Sequence, residues 1–241
     1  MEKIHAATLL ALMFFVVPLA QAEEKNWSDQ AELSYVKTSG NSDLSTLSLK
    51  NELKAKFTDR LSSTWKLGAL SGQNSGVRTA EKFYTELRGD YLFTERIYSY
   101  LNLGWEKDSF AGIDRRIYTG PGGGYKFLLG PKHILNGEVG LNYVNEKYTD
   151  DTTNDFLSGR LFGKYEFAFN ETNKFSQSLE YLHDFESSKH YKVNSETAVT
   201  SALNSRFSLK VSYTVNYDHQ PVPETLDHTD TTLATALVAN F

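Results

Sequence analysis

Charged side chains recur in this chain at even-numbered positions, with apolar or small residues between them. Lys50, Glu52 and Lys54, then Lys66, then Glu86, Arg88 and Asp90 share this parity. Glu106, Arg116, Lys126, Glu138, Arg160, Lys164, Glu166, Glu180, Glu196 and Lys210 follow it too. A spacing of two places side chains on one face of a strand. Cations and carboxylates mixed on such a face have two uses. They can line a narrow, weakly selective passage for small solutes or ions, or they can interlock as ion pairs that close it. A pore for acidic sugars would carry a one-sided basic lining, and this set is not one-sided. Neutralising Arg88 or Glu106 is expected to shift the selectivity of an open pore.

Other residues hint at other chemistry. His183, Asp184, Ser187 and Ser188 supply the residue types of a nucleophile and its base near one strand end. Serine is abundant and His183 has the odd parity, so the chain is read as non-enzymatic, with no catalytic residues. Asp150, Asp151, Asn154 and Asp155 form an oxygen-rich stretch that could ligate Ca²⁺. Their spacing does not fit an EF-hand, and a solvated acidic loop is the reading. His190, His219 and His228 have no fixed ligand spacing, so no metal and no cofactor are expected. A formal net charge of −5 argues against a nucleic-acid partner. With no cysteine there is no disulfide, lipoprotein anchor or thiolate site.

The elements that position these charges are strands. Odd positions carry the apolar residues: Leu61, Trp65 and Leu67; Leu101, Leu103 and Trp105; Val139, Leu141 and Tyr143; Leu209, Val211 and Tyr213. If that face met lipid, a Lys or Arg on it at mid-membrane would cost about 2–4 kcal/mol. The charged face would then turn inward. Turn signals at residues 58–60, 94–96, 130–132, 170–172 and 204–205 mark short connections. Longer ones centre on residues 39–41, 73–80, 108–114, 146–155, 186–190 and 218–228. Together they predict about twelve strands in one antiparallel up-and-down transmembrane β-barrel, with both termini periplasmic. Residues 44–57 also read as a short helix, but two flanking strands favour a strand. Odd-position aromatics beside short turns (Phe57, Phe93, Phe169) and beside long loops (Tyr35, Trp105, Tyr217) predict two interfacial belts.

The ends agree. Residues 1–22 read as a cleaved signal peptide, with Lys3, an apolar run and Ala20-Gln21-Ala22. Residues 23–241 are then the barrel domain. Leu237, Ala239 and Phe241 close an alternating run on an aromatic, resembling the signal read by the barrel-assembly machinery of Gram-negative bacteria. Outer-membrane lipids and lipopolysaccharide are the expected surroundings.

Several short motifs carry a family resemblance. They are residues 38–43 (Thr-Ser-Gly-Asn-Ser-Asp), Arg116 followed by Gly120-Pro121-Gly122-Gly123-Gly124-Tyr125, Asn194-Ser195-Glu196, Asp218 with Pro221 and Pro223, and Thr229-Asp230-Thr231. In this order and spacing the chain resembles the YdiY-like family, described as salt-induced outer-membrane proteins of unknown function. The resemblance implies an outer-membrane barrel and a link to salt or osmotic conditions. It implies no reaction or substrate. Gly40-Asn41 suits a tight turn with positive φ. Gly120, Gly122 and Gly124 sit within a strand, as a kink that helps close the barrel or as room in the lumen. The leading expectation is a narrow channel. The alternatives are a closed barrel with a structural or envelope-stress role, and a lipid-modifying enzyme at the rim.

Overall fold

A computed structural model describes residues 26–38, 44–187, 189–222 and 225–241. The signal-peptide reading of residues 1–22, the Gly40-Asn41 turn, Ser188 and Pro223 lie outside the described residues. The described chain forms twelve strands: β1 (Trp27–Thr38), β2 (Leu44–Lys56), β3 (Leu61–Asn74), β4 (Val77–Leu92), β5 (Ile97–Asp108), β6 (Ile113–Leu129), β7 (His133–Tyr148), β8 (Thr153–Ala168), β9 (Asn173–Asp184), β10 (Tyr191–Ala202), β11 (Phe207–Asp218) and β12 (Thr229–Asn240). Each pairs antiparallel with its neighbours, and β1 meets β12 to close the barrel. The ambiguous segment is β2, because only a strand separates Leu47, Leu49 and Leu53 from Lys50, Glu52 and Lys54.

The barrel is inside-out relative to a soluble sandwich. Outward Leu87, Leu101, Leu103, Val139, Leu141, Leu161 and Leu179 are each more than half exposed, whereas inward Asn102, Asn142, Glu146 and Asp184 are buried. A continuous apolar outer face around a polar interior suits a lipid solvent and is costly in water.

At one end, four short turns share a device. The side-chain oxygens of Thr58, Thr94, Asn170 and Asn204 each accept hydrogen bonds from the amides two and three residues on, at 2.8–3.2 Å. These local bonds fix where each strand reverses.

The other end departs from expectation. Residues 73–80 are not a loop: β3 and β4 continue to a turn at Ser75 and Gly76, with φ of 51° and 79°. Two positive φ values mark the type I′ hairpin, whose twist matches the strands. Likewise β7 runs to Tyr148 and β8 starts at Thr153, so Glu146 is a strand residue. Polar side chains on both faces here make strand ends look like loops. Replacing Gly76 by Ala meets no atom within 4 Å, so its cost is conformational. A destabilisation of about 1–2 kcal/mol is expected, readable as a lower urea midpoint of the refolded barrel.

Candidate functional site

The inward face carries the charges, and strand register decides which of them meet. A lower layer is centred on Glu138 of β7. Arg88 of β4 donates to both of its oxygens at 2.8 and 3.0 Å, and Arg160 of β8 donates to it at 2.7 Å. Arg88 also pairs with Asp90, and Arg160 with Glu180, to which Asn194 donates. An upper layer is centred on Glu146. Arg116 Nε donates to it at 2.5 Å and Tyr148 at 2.5 Å, and Lys192 Nζ lies 4.0 Å away. Arg116 also reaches Glu106, which Lys82 contacts at 2.8 Å, and Lys192 pairs with Asp218. Each layer joins strands that are not neighbours, β4 to β7 below and β7 to β10 above. A third cluster sets Lys210 between Glu32 and Glu196, with Lys50 3.7 Å from Glu196.

Four tyrosines thicken the wall beneath these layers. Tyr84, Tyr98, Tyr100 and Tyr118 stand directly across the ladder from Gly68, Gly124, Gly122 and Gly104. A Cβ on any of these glycines would fall 2.0–2.2 Å from the facing ring. The rings therefore lie flat on bare backbone. Three of the hydroxyls reach the ion pairs: Tyr98 donates to Glu138 and Tyr118 to Glu86, each at 2.8 Å, and Tyr100 accepts from Arg160 at 3.0 Å. The Arg88 guanidinium sits 3.9 Å from the Tyr100 ring centre, a cation–π contact.

Gly122 and Gly124 thus seat aromatic rings rather than leave the lumen open. The β6–β7 register shifts lie outside residues 120–124, at residues 113–115 and 126–128.

The charges sort into two groups. Arg88, Arg116 and Arg160 keep 13–16% of their side chains accessible, and Glu138 and Glu146 keep 5% and 1%. Lys50, Lys54, Lys66 and Lys164 keep 40–58%. Glu52, Glu86 and Glu166 stand 2.6–3.4 Å from Lys54, Lys66 and Lys164. Lys126 makes no ion pair among the described residues and lies 5.8 Å from the Tyr98 ring. It borders a cavity of about 450 Å³ at the short-turn end, together with Lys54, Arg60, Arg88 and Asp90.

Sequence reasoning missed Glu32, Lys82, Glu146, Lys192 and the four tyrosines. The available signal was tyrosine at even positions, opposite glycine once hairpins are paired. Among the described residues, His183 and Asp184 take opposite faces of β9. His183 faces outward, 3.3 Å from the Tyr181 hydroxyl. Asp184 is buried, accepts the Glu186 amide and lies 3.2 Å from His190. The Asp150 carboxylate accepts the hydroxyl and amide of Thr152, which hold it below its usual range. Asp151 pairs with Lys147 at 2.7 Å, and Asp155 accepts from Asn145. These oxygens are spent within their own hairpin, and no metal-binding cluster occurs among the described residues.

The fold is that of outer-membrane barrels. An outer membrane channel from Pseudomonas putida F1 superposes with a TM-score of 0.53 at 11% identity, over 89% of this chain and 95% of that one. The translocator domain of the autotransporter NalP from Neisseria meningitidis gives 0.52 at 12%, over 89% and 87%. In sequence, the chain is 27% identical over 218 residues to the uncharacterized protein YdiY of Escherichia coli (strain K12), covering 90% of this chain and 84% of that one. The family described as "Protein of unknown function, DUF481" matches residues 31–241. The chain, whose motifs resemble YdiY-like proteins, belongs to this family of unknown function.

Proposed function

We propose that this protein sits in the outer membrane, short turns and termini toward the periplasm, and passes small ions or solutes through a narrow lane. The observation that carries this reading is the division of lumen charges. Buried arginine–glutamate layers and seated tyrosines stand on β4 to β8, while lysines that keep 40–58% of their side chains accessible stand on β2, β3 and, across the barrel, β8. A lane lined by Lys50, Lys54, Lys66 and Lys164 favours anions weakly, because Glu52, Glu86 and Glu166 stand beside them. Lipopolysaccharide and outer-membrane lipids surround the barrel. A role when external salt changes follows from the family resemblance and suits a small ion lane.

The test is single-channel recording of the chain from Glu23 onward, refolded into a planar bilayer beside a heat-denatured control. Small, salt-dependent steps with a mild anion preference are expected. Changing Lys54, Lys66 and Lys164 together to Gln moves the reversal potential toward cation selectivity. A folded barrel that stays silent overturns the lane. It would favour a closed barrel, the reading supported by ion pairs that bridge non-adjacent strands.

A further inference from the structure

The seam that closes the barrel is incomplete. β1 and β12 are in register only over residues 30–33 against 237–240, with Asp29 and Phe241 exchanging amide–carbonyl bonds just below. Yet β1 stays paired with β2 up to Thr38, and β12 with β11 up to Thr229. Among the described residues, 34–38 and 229–236 are therefore strand edges, each paired on one side only. Continued register would set Val36 against Ala234. Instead Val36, on the inward parity, is 42% exposed, and Leu233 is 71% exposed. The two edges part as a wedge, zipped at the short-turn end and open toward the long-loop end.

The wedge lies within the membrane's reach. A tilted strand climbs roughly 2.5 Å per residue, so Ser34 and Val36 stand roughly 13–18 Å above Asp29. The apolar band of such barrels is about 25 Å tall. Backbone groups at that depth cannot face lipid unpaired and are tolerated only where they line a wet cavity or meet a partner. The inner walls beside the wedge carry Ser212, Thr214, Thr232, Ala234 and Ala236 on the inward parity. Hydroxyls and methyls suit a molecule with a polar head and an apolar tail. A partner strand would need a gap of roughly twice 4.8 Å along its whole length, which a wedge zipped at one end does not provide. An acyl chain fits a tapering gap.

We propose that this wedge is a lateral portal, through which the acyl chain of an amphipathic molecule passes between the lumen and the surrounding leaflet. The proposal rests on the membrane placement above but not on ion conduction.

The natural chain has no cysteine, so single cysteines report cleanly. The barrel is refolded into phosphatidylcholine vesicles doped with a phospholipid bearing a maleimide at its acyl terminus. Leu233→Cys faces outward, Thr232→Cys faces inward beside the wedge, and Ser178→Cys faces inward on β9. A mass shift of one lipid is expected at Leu233→Cys and Thr232→Cys, and none at Ser178→Cys. Labelling at Leu233→Cys alone overturns the portal. No labelling at Leu233→Cys removes the membrane placement, and the portal with it. A second measurement compares oxidation of Val36→Cys/Ala234→Cys with Leu33→Cys/Leu237→Cys, a pair in direct register. The zipped pair should close and the wedge pair should not, because a disulfide needs Cα atoms within about 7 Å. Equal closure overturns the proposal. So does a protein adduct at Val36→Cys in whole outer membranes without a lipid adduct at Thr232→Cys, which would give the edge to a partner strand.

Discussion

Replacing Glu138 by alanine is expected to destabilise the barrel by about 3–5 kcal/mol, the cost of leaving buried charges without their counter-ion. Two guanidiniums lose their shared acceptor at once, Arg88 and Arg160, each with less than a sixth of its side chain accessible. The Tyr98 hydroxyl loses its acceptor as well. Asp90 and Glu180 remain, so each arginine keeps one carboxylate, and the loss stays within that range. Glu138→Gln keeps an acceptor oxygen without the charge and should cost about 1–3 kcal/mol. The control is Glu166→Ala, whose partner Lys164 lies only 2.6 Å away, with 43% and 38% of the two side chains accessible. A pair that exposed is worth about 0–1 kcal/mol. Urea unfolding in lipid vesicles, followed by tryptophan fluorescence and by gel mobility without boiling, measures all three. Equal effects at Glu138 and Glu166 would show that the lower layer is as solvated as the accessible lysine pairs. The division on which the ion lane depends would then be lost.

The contrast between these two glutamates also marks how far the sequence could be read. Period-two alternation groups Lys66, Arg88, Glu106, Glu138, Arg160 and Lys210 with the other even-position charges, and in the barrel each of them meets an opposite charge. It could not tell which charges meet. Arg88 and Glu138 are 50 positions apart and Glu32 and Lys210 are 178 apart. Only closure of the barrel brings them together. Arg88 and Glu106 therefore look like pore charges in sequence but are buried pairs in the barrel. The lysines beside them carry the accessible charge. Loop boundaries failed for a related reason. Ser75-Gly76 and residues 149–152 lie at strand ends with polar residues on both faces, where alternation of hydrophobicity fades although pairing continues. The inward tyrosines are not legible in sequence because an aromatic near a strand end reads as a belt residue. Their seats become visible only when Gly122 and Gly124 are set across from Tyr100 and Tyr98.

The glycine run of β6 gives the other large effect, and it separates residues that look alike in sequence. A Cβ at Gly120 would lie 1.8 Å from the Leu141 carbonyl oxygen and 2.8 Å from the Asn142 Cα. Both are backbone of the adjoining strand, so no side-chain rotation relieves the clash, and β6 must move away from β7. Gly120→Ala is expected to exceed about 3 kcal/mol, above the usual range for an overpacked site. At Gly122 and Gly124 the obstacle is a tyrosine ring, at 2.1 and 2.2 Å. A ring can tilt, at the cost of its contact with the ion pairs, so alanine there should cost about 1–3 kcal/mol. At Gly123, on the outer face, the nearest atom is the Tyr98 carbonyl oxygen at an ordinary 3.6 Å. Alanine there should be neutral within about 0.5 kcal/mol. The expected order of destabilisation is Gly120, then Gly122 and Gly124, then Gly123, read from urea midpoints of the refolded variants. A kink that merely needs flexible residues would penalise all four alike. A lumen kept open by small residues would spare stability at Gly122 and Gly124 and lower conductance instead. Only strand contact at Gly120 and ring seats at Gly122 and Gly124 yield the graded order. A neutral Gly120→Ala would show that β6 and β7 do not approach as closely as this packing requires.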